Sequence, residues 1–371
     1  MPATTAYLDS YNAGVDRIHT SVMSTVFSPD NTRLMAADDQ GRLGLFYSSP
    51  QISSKPILLT SVSNTPQTQL NSTSLNNTNN SISLASSATG ILIVVNGSSQ
   101  NGLIQGYRWS DIISNKKTSS MPSDVFSFDL ARGPNETFAC VQAPSKSQQQ
   151  QKGDEILVGS STGVLRVLNI ERQTLVTTID AAHRGTVHQV AFANDGKRIA
   201  SCSEDGTCKI WDLSTSSHQP IHTIETNKWI SCCAFDMATD RLVIGGDCPL
   251  TLWHLSMLSS SNKQKPLLVY NSIPTPIYSL ALCSADDDTI LVGGDMNKLY
   301  SVPKNGDEQS LTISRVTTPS PIYTIATTLN NTTAKTNEEI KIVVAGSHWH
   351  MDSFTMTDAN IRKIGHYEFS K

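Results

Sequence analysis

The chain has 371 residues, a formal net charge of −4 and a sequence pI near 6.1. This balance provides no broad basic surface, so we do not expect the chain to bind RNA or DNA on its own. Neither a signal peptide nor an apolar run long enough to span a membrane is visible. The seven cysteines lack Cys-x-x-Cys spacing, which is typical of buried thiols in a reducing compartment.

The first twenty residues differ from the rest in their hydrophobic spacing. Apolar residues recur there at nearly helical intervals: Tyr7, Leu8, Tyr11, Val15 and Ile18. The spacing predicts a short amphipathic helix over residues 1–20. Strand-like runs at Val22–Phe27 and Arg33–Tyr47 then form a first repeat. From about 60 to 88 the chain is rich in Ser, Asn and Thr with few charges, which predicts a flexible insert.

Two further repeats follow, one resuming at Ile91–Val95 and the next beginning near Val125. A polar run over about 143–153 predicts a second flexible insert. Gly159-Ser160-Ser161-Thr162-Gly163 fits the G-x-S-x-G pattern of serine hydrolases, but that motif requires a strand leading into a helix. The residues after Gly163 alternate like a strand, so we predict a hairpin turn and no nucleophile.

Residues 182–213 form the most regular unit of the chain. Three strand-like runs occur in it: Val187–Phe192, Arg198–Ser203 and Cys208–Trp211. Turn-forming residues separate them, including Asp205-Gly206, a pair suited to a tight hairpin. An Ala-His pair opens the unit and Trp211-Asp212 closes it. This combination is the signature of a WD40 repeat, a propeller blade of four antiparallel strands.

The WD40 pattern also implies a buried hydrogen-bonded chain in this repeat, a structural tetrad made of His183, Ser203, Asp205 and Trp211. Ser201 has the same strand parity as Ser203 and is the alternative source of the hydroxyl. An unsatisfied buried polar group costs about 1–3 kcal/mol, so each member needs a partner. We therefore interpret His183 as structural and not as a catalytic base, and Asp205 as structural and not as a metal ligand.

The remaining repeats allow the blades to be counted. They cover Ile221–Leu255, Ile277–Val302 and Ile322–Met356, and a last strand, Ile361–Phe369, is expected to lie outermost in the final blade. Seven middle strands can be recognised, at Leu34, Ile91, Ile156, Ile199, Leu242, Ile290 and Ile342. We therefore predict an all-β fold, a seven-bladed WD40 β-propeller over residues 21–371, preceded by the short N-terminal helix.

Two groups of polar residues could suggest other chemistry. His348-Trp349-His350 would place two imidazoles on one face of a strand, as a pair of metal ligands should lie. The segment falls where a hairpin turn belongs, however, and no third ligand has a predictable position. Acidic residues at Asp38-Asp39 and 286–288 fall beside turns and are expected to be solvated. We predict no catalytic residue, no cofactor and no metal.

Asn227, Lys228 and Trp229 lie in the loop that leads into the fifth repeat, on one rim of the predicted ring. Loops on a rigid scaffold commonly carry binding residues. We predict that these three residues contribute to a partner-docking surface. Packing of Trp229 between blades is the structural alternative.

Two segments resemble one WD40 family. The sequence NKWISCCAFDMATDRLVIGGDCPLTLWHL (227–255) is similar to the fifth blade of THO complex subunit 6, and AGSHWHMDSFTM from Ala345 resembles that family's C-terminal blade. The resemblance implies a non-enzymatic scaffold subunit of the nuclear THO/TREX assembly, which acts in mRNA processing and export. It also implies docking to coiled-coil THO subunits, with RNA held only indirectly through the complex and no membrane contact.

The alternative is a WD40 adaptor of another complex, such as a substrate receptor of a cullin ubiquitin ligase. Such receptors often carry Trp-Asp-x-Arg at the end of a blade. Here Trp211-Asp212 is followed by Leu213-Ser214, so the arginine is missing.

Overall fold

The computed structural model describes residues 20–61, 81–98, 101–114, 121–130, 136–144, 155–215, 218–236, 238–258, 265–283, 289–317, 321–328, 339–357 and 360–369. Residues 1–19 of the predicted helix, the middle of both predicted inserts and the acidic residues 286–288 lie outside the described residues. Asp38 was expected to be solvated, but it is fully buried and forms an ion pair with Arg42.

Twenty-eight strands in the described residues form seven four-stranded antiparallel sheets. The first three blades contain β1 (Val22–Phe27), β2 (Arg33–Asp38), β3 (Arg42–Tyr47), β4 (Leu58–Ser61); β5 (Ser81–Ser86), β6 (Ile91–Ser98), β7 (Asn101–Arg108), β8 (Phe126–Asp129); β9 (Phe138–Gln142), β10 (Glu155–Ser160), β11 (Leu165–Asn169) and β12 (Thr174–Ile179). The next two contain β13 (Val187–Phe192), β14 (Arg198–Ser203), β15 (Thr207–Asp212), β16 (His222–Glu225); β17 (Ile230–Phe235), β18 (Arg241–Gly246), β19 (Leu250–His254) and β20 (Leu268–Tyr270). The last two contain β21 (Ile277–Cys283), β22 (Thr289–Gly294), β23 (Met296–Pro303), β24 (Thr312–Arg315); β25 (Ile322–Thr327), β26 (Ile340–Gly346), β27 (His350–Thr357) and β28 (Asn360–Glu368).

Every sheet consists of four strands that are consecutive in the sequence and paired in chain order. This confirms the all-β, seven-bladed propeller, and each predicted middle-strand anchor lies on the second strand of its blade. The described helices are short: α1 (Trp109–Ser114) and two 3₁₀ turns, Leu255–Met257 and Glu308–Ser310. None of these helices is long and apolar enough to cross a membrane.

The hydrophobic core lies between neighbouring blades. Second strands are buried along nearly their whole length, as in β22, where all six residues are buried. Outer strands face solvent, as in β12, where Thr174, Leu175 and Val176 are exposed. The alternation of apolar residues is therefore clearest on the first strand of each blade, and the second strand reads as a continuous apolar run.

The structure corrects two boundaries in the second blade. The predicted insert over residues 60–88 is too long, because Ser81–Ser86 forms the innermost strand and buries Ile82 and Leu84. The predicted start of the third repeat, near Val125, is wrong as well. Phe126–Asp129 is the outer strand of the second blade, pairing with β7, and the third blade begins at β9.

Among the described strands, the first and last blades are each made of four consecutive strands, and β28 pairs with β27 as the outer strand of the last blade, as predicted. Aromatic residues fill the seam between the last and first blades: Phe46 lies 5.4 Å from Tyr367 and 6.0 Å from Phe369, between ring centroids. The Thr25 and Thr324 hydroxyls lie 3.1 Å apart across the same seam. Side-chain packing therefore seals the propeller here.

Polar side chains on the innermost strands link several blades. The Ser24 hydroxyl accepts the N–H of Leu84 at 3.1 Å, and Gln142 Oε1 accepts the N–H of Phe192 at 2.8 Å. In the same way, Gln189 Oε1 accepts the N–H of Cys233 at 3.2 Å. Each contact satisfies a backbone donor that has no further strand beside it, and so holds adjacent blades in register.

Candidate functional site: an aromatic and acidic rim

The fourth blade contains a buried chain of hydrogen bonds. Trp211 Nε1 donates to Ser201 Oγ at 2.9 Å, and Ser201 Oγ lies 2.7 Å from His183 Nε2. His183 Nδ1 lies 3.2 Å from Asp205 Oδ2. One order of hydrogen-bond donation satisfies every member of the chain. Trp211 donates to Ser201, Ser201 donates to His183 Nε2, and His183 Nδ1–H donates to Asp205.

The prediction that Ser203 supplies the hydroxyl of the tetrad was wrong. Its alternative, Ser201, lies between His183 and Trp211. Ser203 is two residues nearer the hairpin turn, where its Oγ accepts the N–H of Asp205 at 3.2 Å. Both serines are fully buried and share strand parity, so the sequence pattern alone does not separate them. The register does: Trp211 pairs with Ile199, which puts its indole within reach of Ser201.

Burial sets the protonation state of this chain. It lowers the pKa of His183 from 6.5 to about 4, against the opposing attraction of Asp205. Burial alone would raise the pKa of Asp205, but hydrogen bonds from the Thr207 hydroxyl and the Arg184 amide outweigh it and leave that pKa lowered. The histidine is therefore neutral and the aspartate charged at neutral pH. The arrangement stiffens the blade and leaves no free base.

The hydrolase-like sequence has a structural role in the third blade. Ser160 ends β10, and the segment turns directly into the next strand instead of a helix. The Ser161 hydroxyl accepts the N–H of Thr137 at 3.0 Å. This segment therefore lacks the strand-to-helix geometry of a nucleophile elbow.

An arc of aromatic side chains lies on one rim of the propeller, around the mouth of the central channel. It is made of His188, Trp229, Tyr278 and Tyr323, from blades four to seven. Trp229 stacks on Tyr278 with 5.8 Å between centroids and 28° between planes. Its centroid lies 6.0 Å from that of His188, with 61° between the planes. Tyr278 meets Tyr323 at 5.9 Å. We call these four residues the aromatic arc.

β-Bulges at the start of the inner strands orient three of these rings. The pairing register skips His188, Tyr278 and Tyr323 in turn. A bulge redirects the side chain of the extra residue, and these three side chains line a central cavity of about 400 Å³. The arc thus continues from the rim into the channel.

Carboxylates surround the aromatic arc. In four blades the residue after the second strand is acidic, and its backbone N–H bonds to the carbonyl just before the first strand: Asp39, Glu204, Asp247 and Asp295. We call these the rim acids. Burial and then the charges of Asp295 and Asp247 raise the pKa of Tyr278. The rings and the carboxylates are therefore close enough to act on the same bound group.

The three predicted docking residues lie at this rim. Asn227 and Lys228 are exposed, and Lys228 Nζ forms a 3.0 Å ion pair with Asp247. Trp229 is half-buried, because it both packs against the rings of neighbouring blades and presents a surface to solvent.

The sequence analysis missed the other members of the arc. Their signal is a repeated tripeptide, Pro-Ile-Tyr, at 276–278 and again at 321–323. The shared tyrosine occupies the bulge position in both blades. Comparing repeats position by position, instead of weighing each alone, would have placed Tyr278 and Tyr323 beside Trp229.

Comparisons with known proteins agree with the geometry. A family model for the WD domain, G-beta repeat, matches residues 173–212. A Danio rerio protein named THO complex subunit 6 homolog is 26% identical over 92% of this chain and 96% of its own length. Human THO complex subunit 6 is 30% identical over 28% of this chain and 32% of its length. DDB1- and CUL4-associated factor 13 of Dictyostelium discoideum is 26% identical over 43% of this chain and 36% of its length.

The fold and these similarities indicate a scaffold or adaptor and not a known class of enzyme. The chain is a seven-bladed β-propeller with a WD40 repeat at residues 173–212, and it is similar, over 92% of its length, to the Danio rerio protein named THO complex subunit 6 homolog.

Proposed function

We propose that this chain is a non-enzymatic scaffold subunit of the nuclear THO/TREX complex, which docks other protein subunits during mRNA processing and export. The similarity over 92% of the chain to a protein named as a THO subunit supports the choice of complex. Coiled-coil THO subunits are the proposed partners, and RNA is reached only through them.

The observation that carries the docking role is the aromatic arc with the rim acids beside it. Aromatic faces attract Lys and Arg cations, and carboxylates form charge-assisted hydrogen bonds with the same groups. Nucleic-acid phosphates would meet repulsion from Asp39, Glu204, Asp247 and Asp295. We therefore propose that a basic protein segment docks here, and that Trp229 with Asn227 and Lys228 forms part of the contact.

The first test identifies the partners. The tagged chain is purified from nuclear extract and the proteins retained with it are identified by mass. Recovery of several THO subunits supports the proposal. Recovery of cullin adaptors without THO subunits contradicts it.

The second candidate is a substrate receptor of a cullin ubiquitin ligase. The partial similarity to DDB1- and CUL4-associated factor 13 favours it. The sequence Trp211-Asp212-Leu213-Ser214, which lacks the arginine often found at that position, does not.

The second test concerns the rim acids. The double variant Asp247→Asn/Asp295→Asn removes two carboxylates beside the aromatic arc. The matched control is Asp129→Asn/Glu171→Gln, which neutralises two exposed acids elsewhere in the ring. We expect partner recovery to fall for the rim variant only, and to fall with added salt for the wild type. Equal recovery by both variants would contradict rim docking.

A further inference from the structure

The last hairpin of the propeller gathers histidines that are distant in the sequence. His350 begins β27, just after the turn, and pairs directly with Glu368 of β28. His366 pairs with Asp352, two positions along. Because strand side chains alternate, His350, His366 and Glu368 project from the same face of the hairpin.

These three side chains have the spacing of a metal site. Their ligand atoms all lie within 4.8 Å of one another, and they form the one such group in the described residues. His366 Nε2 lies 3.9 Å from Glu368 Oε1. Zinc–ligand distances of about 2.0–2.2 Å in a tetrahedron require ligand atoms roughly 3.3–3.6 Å apart. The His366 side chain is 50% exposed and that of Glu368 is 31% exposed, so small side-chain rotations can close this gap.

Two neighbouring side chains, His348 and Asp352, already have other partners. His348 Nδ1 accepts the N–H of His350 at 3.2 Å, and the two rings lie 4.9 Å apart. His348 therefore positions His350. Asp352 shares the face but is fully buried, where it binds Lys363 and the Thr317 hydroxyl.

We propose that His350, His366 and Glu368 bind Zn²⁺ as a three-ligand site with water in the fourth position. Two imidazoles and one carboxylate are a common ligand set for this ion. The sequence analysis predicted no metal because the turn histidines had no third ligand, and the pairing of β27 with β28 supplies two.

The site lies where the ring closes. The Glu368 N–H donates to Ser54 O of the first blade at 2.8 Å, and the Phe369 N–H to Trp349 O at 2.8 Å. A metal bound to both strands holds the end of β28 against the turn before β27. Zinc therefore joins two strands of the last blade, next to the seam with the first blade.

The test uses the full chain without a histidine tag, freed of metal by a chelator. Zinc chloride is titrated calorimetrically, and melting is followed with and without zinc. We expect one saturable site and a higher Tm with zinc, because a ligand that binds only the folded state stabilises it. Bound Co²⁺ is expected to show the intense visible absorption of tetrahedral coordination.

Three variants locate the site. His366→Ala is expected to weaken zinc binding by at least ~10-fold and to abolish the Tm rise, while its Tm without metal stays near that of the wild type. His218→Ala, an exposed histidine elsewhere in the ring, is the matched control and is expected to bind normally. His348→Ala is expected to keep most of the binding. Undiminished binding by His366→Ala, or a loss in His348→Ala as large as in His366→Ala, would overturn the proposal.

Discussion

His183 and His188 lie five positions apart in the same blade, yet their surroundings differ. His183 is 3% exposed, and both of its ring nitrogens are hydrogen-bonded, Nε2 to Ser201 and Nδ1 to Asp205. Trp211 donates to the same Ser201 hydroxyl. His188 is half-buried at a bulge, and its ring lies at a steep angle to that of Trp229, with 6.0 Å between the centroids. One histidine is held inside a blade, and the other faces the channel mouth.

The difference separates rigidity from binding. Where donors and acceptors are matched and water is excluded, polar side chains fix one arrangement, and removing a member leaves buried groups unsatisfied. In the aromatic arc the rings touch edge and face, and part of each surface remains open to solvent. Substitutions in the buried chain should therefore change stability, and substitutions in the arc should change binding.

The largest effect is expected for Asp205→Ala. Asp205 accepts from the Arg184 amide at 2.9 Å, from the Thr207 amide at 2.9 Å and from the Thr207 hydroxyl at 2.6 Å, and it also lies beside His183. We expect the free energy of unfolding to fall by about 3–4 kcal/mol, measured by urea titration. Below the melting temperature, the variant should retain the same partners. Partner loss at an unchanged Tm would contradict the structural role.

The next effect concerns pH. The unfolded chain protonates His183 below about pH 6.5, whereas the folded chain keeps it neutral until the pKa of about 4. The unfolded state therefore binds more protons in this window, and stability falls as the pH drops from about 6.5 to about 4, by ~3 kcal/mol in all. Above pH 6.5 this contribution is constant.

The contribution is measured as a difference. His183→Gln should be less stable than the wild type at neutral pH but should lose less stability on acidification, by urea titration at several pH values. The lowered pKa of Asp205 acts in a lower window, beginning near its ordinary value of 3.8. Parallel pH profiles for the wild type and His183→Gln would contradict the assignment.

A smaller and sharper effect distinguishes the two serines. Ser201→Ala removes the partner of both His183 and Trp211, and should cost about 2 kcal/mol or more. Ser203→Ala, the matched control, removes one acceptor from the Asp205 amide and should cost about 1 kcal/mol or less. Equal losses in urea titrations would mean that the corrected order of the chain is wrong.

Much of the fold could be predicted because each blade repeats one pattern. Turn pairs such as Asp205-Gly206 and the regular spacing of second strands identify blades without any tertiary information. The second blade was divided incorrectly because its outer strand, Phe126–Asp129, follows the helix at Trp109–Ser114 after a gap. Distance along the chain then suggested a new repeat.

The sites were harder to predict because they depend on contacts between blades or between distant strands. The aromatic arc joins residues from four blades, and the zinc ligands come from two strands whose register the sequence does not reveal. Ser201 and Ser203 show the same limit at short range, since both satisfy the strand pattern and only the pairing of Trp211 separates them.

The measurement that tests the central claim most directly is partner recovery by Trp229→Ala, with its Tm determined on the same preparation. Trp229 is half-buried, stacks on Tyr278 and lies beside His188, so its loss should cost about 1–2 kcal/mol of stability. We predict that the variant melts close to the wild type and loses co-purified partner. A stable variant that retains its partners in full would contradict docking through the aromatic arc.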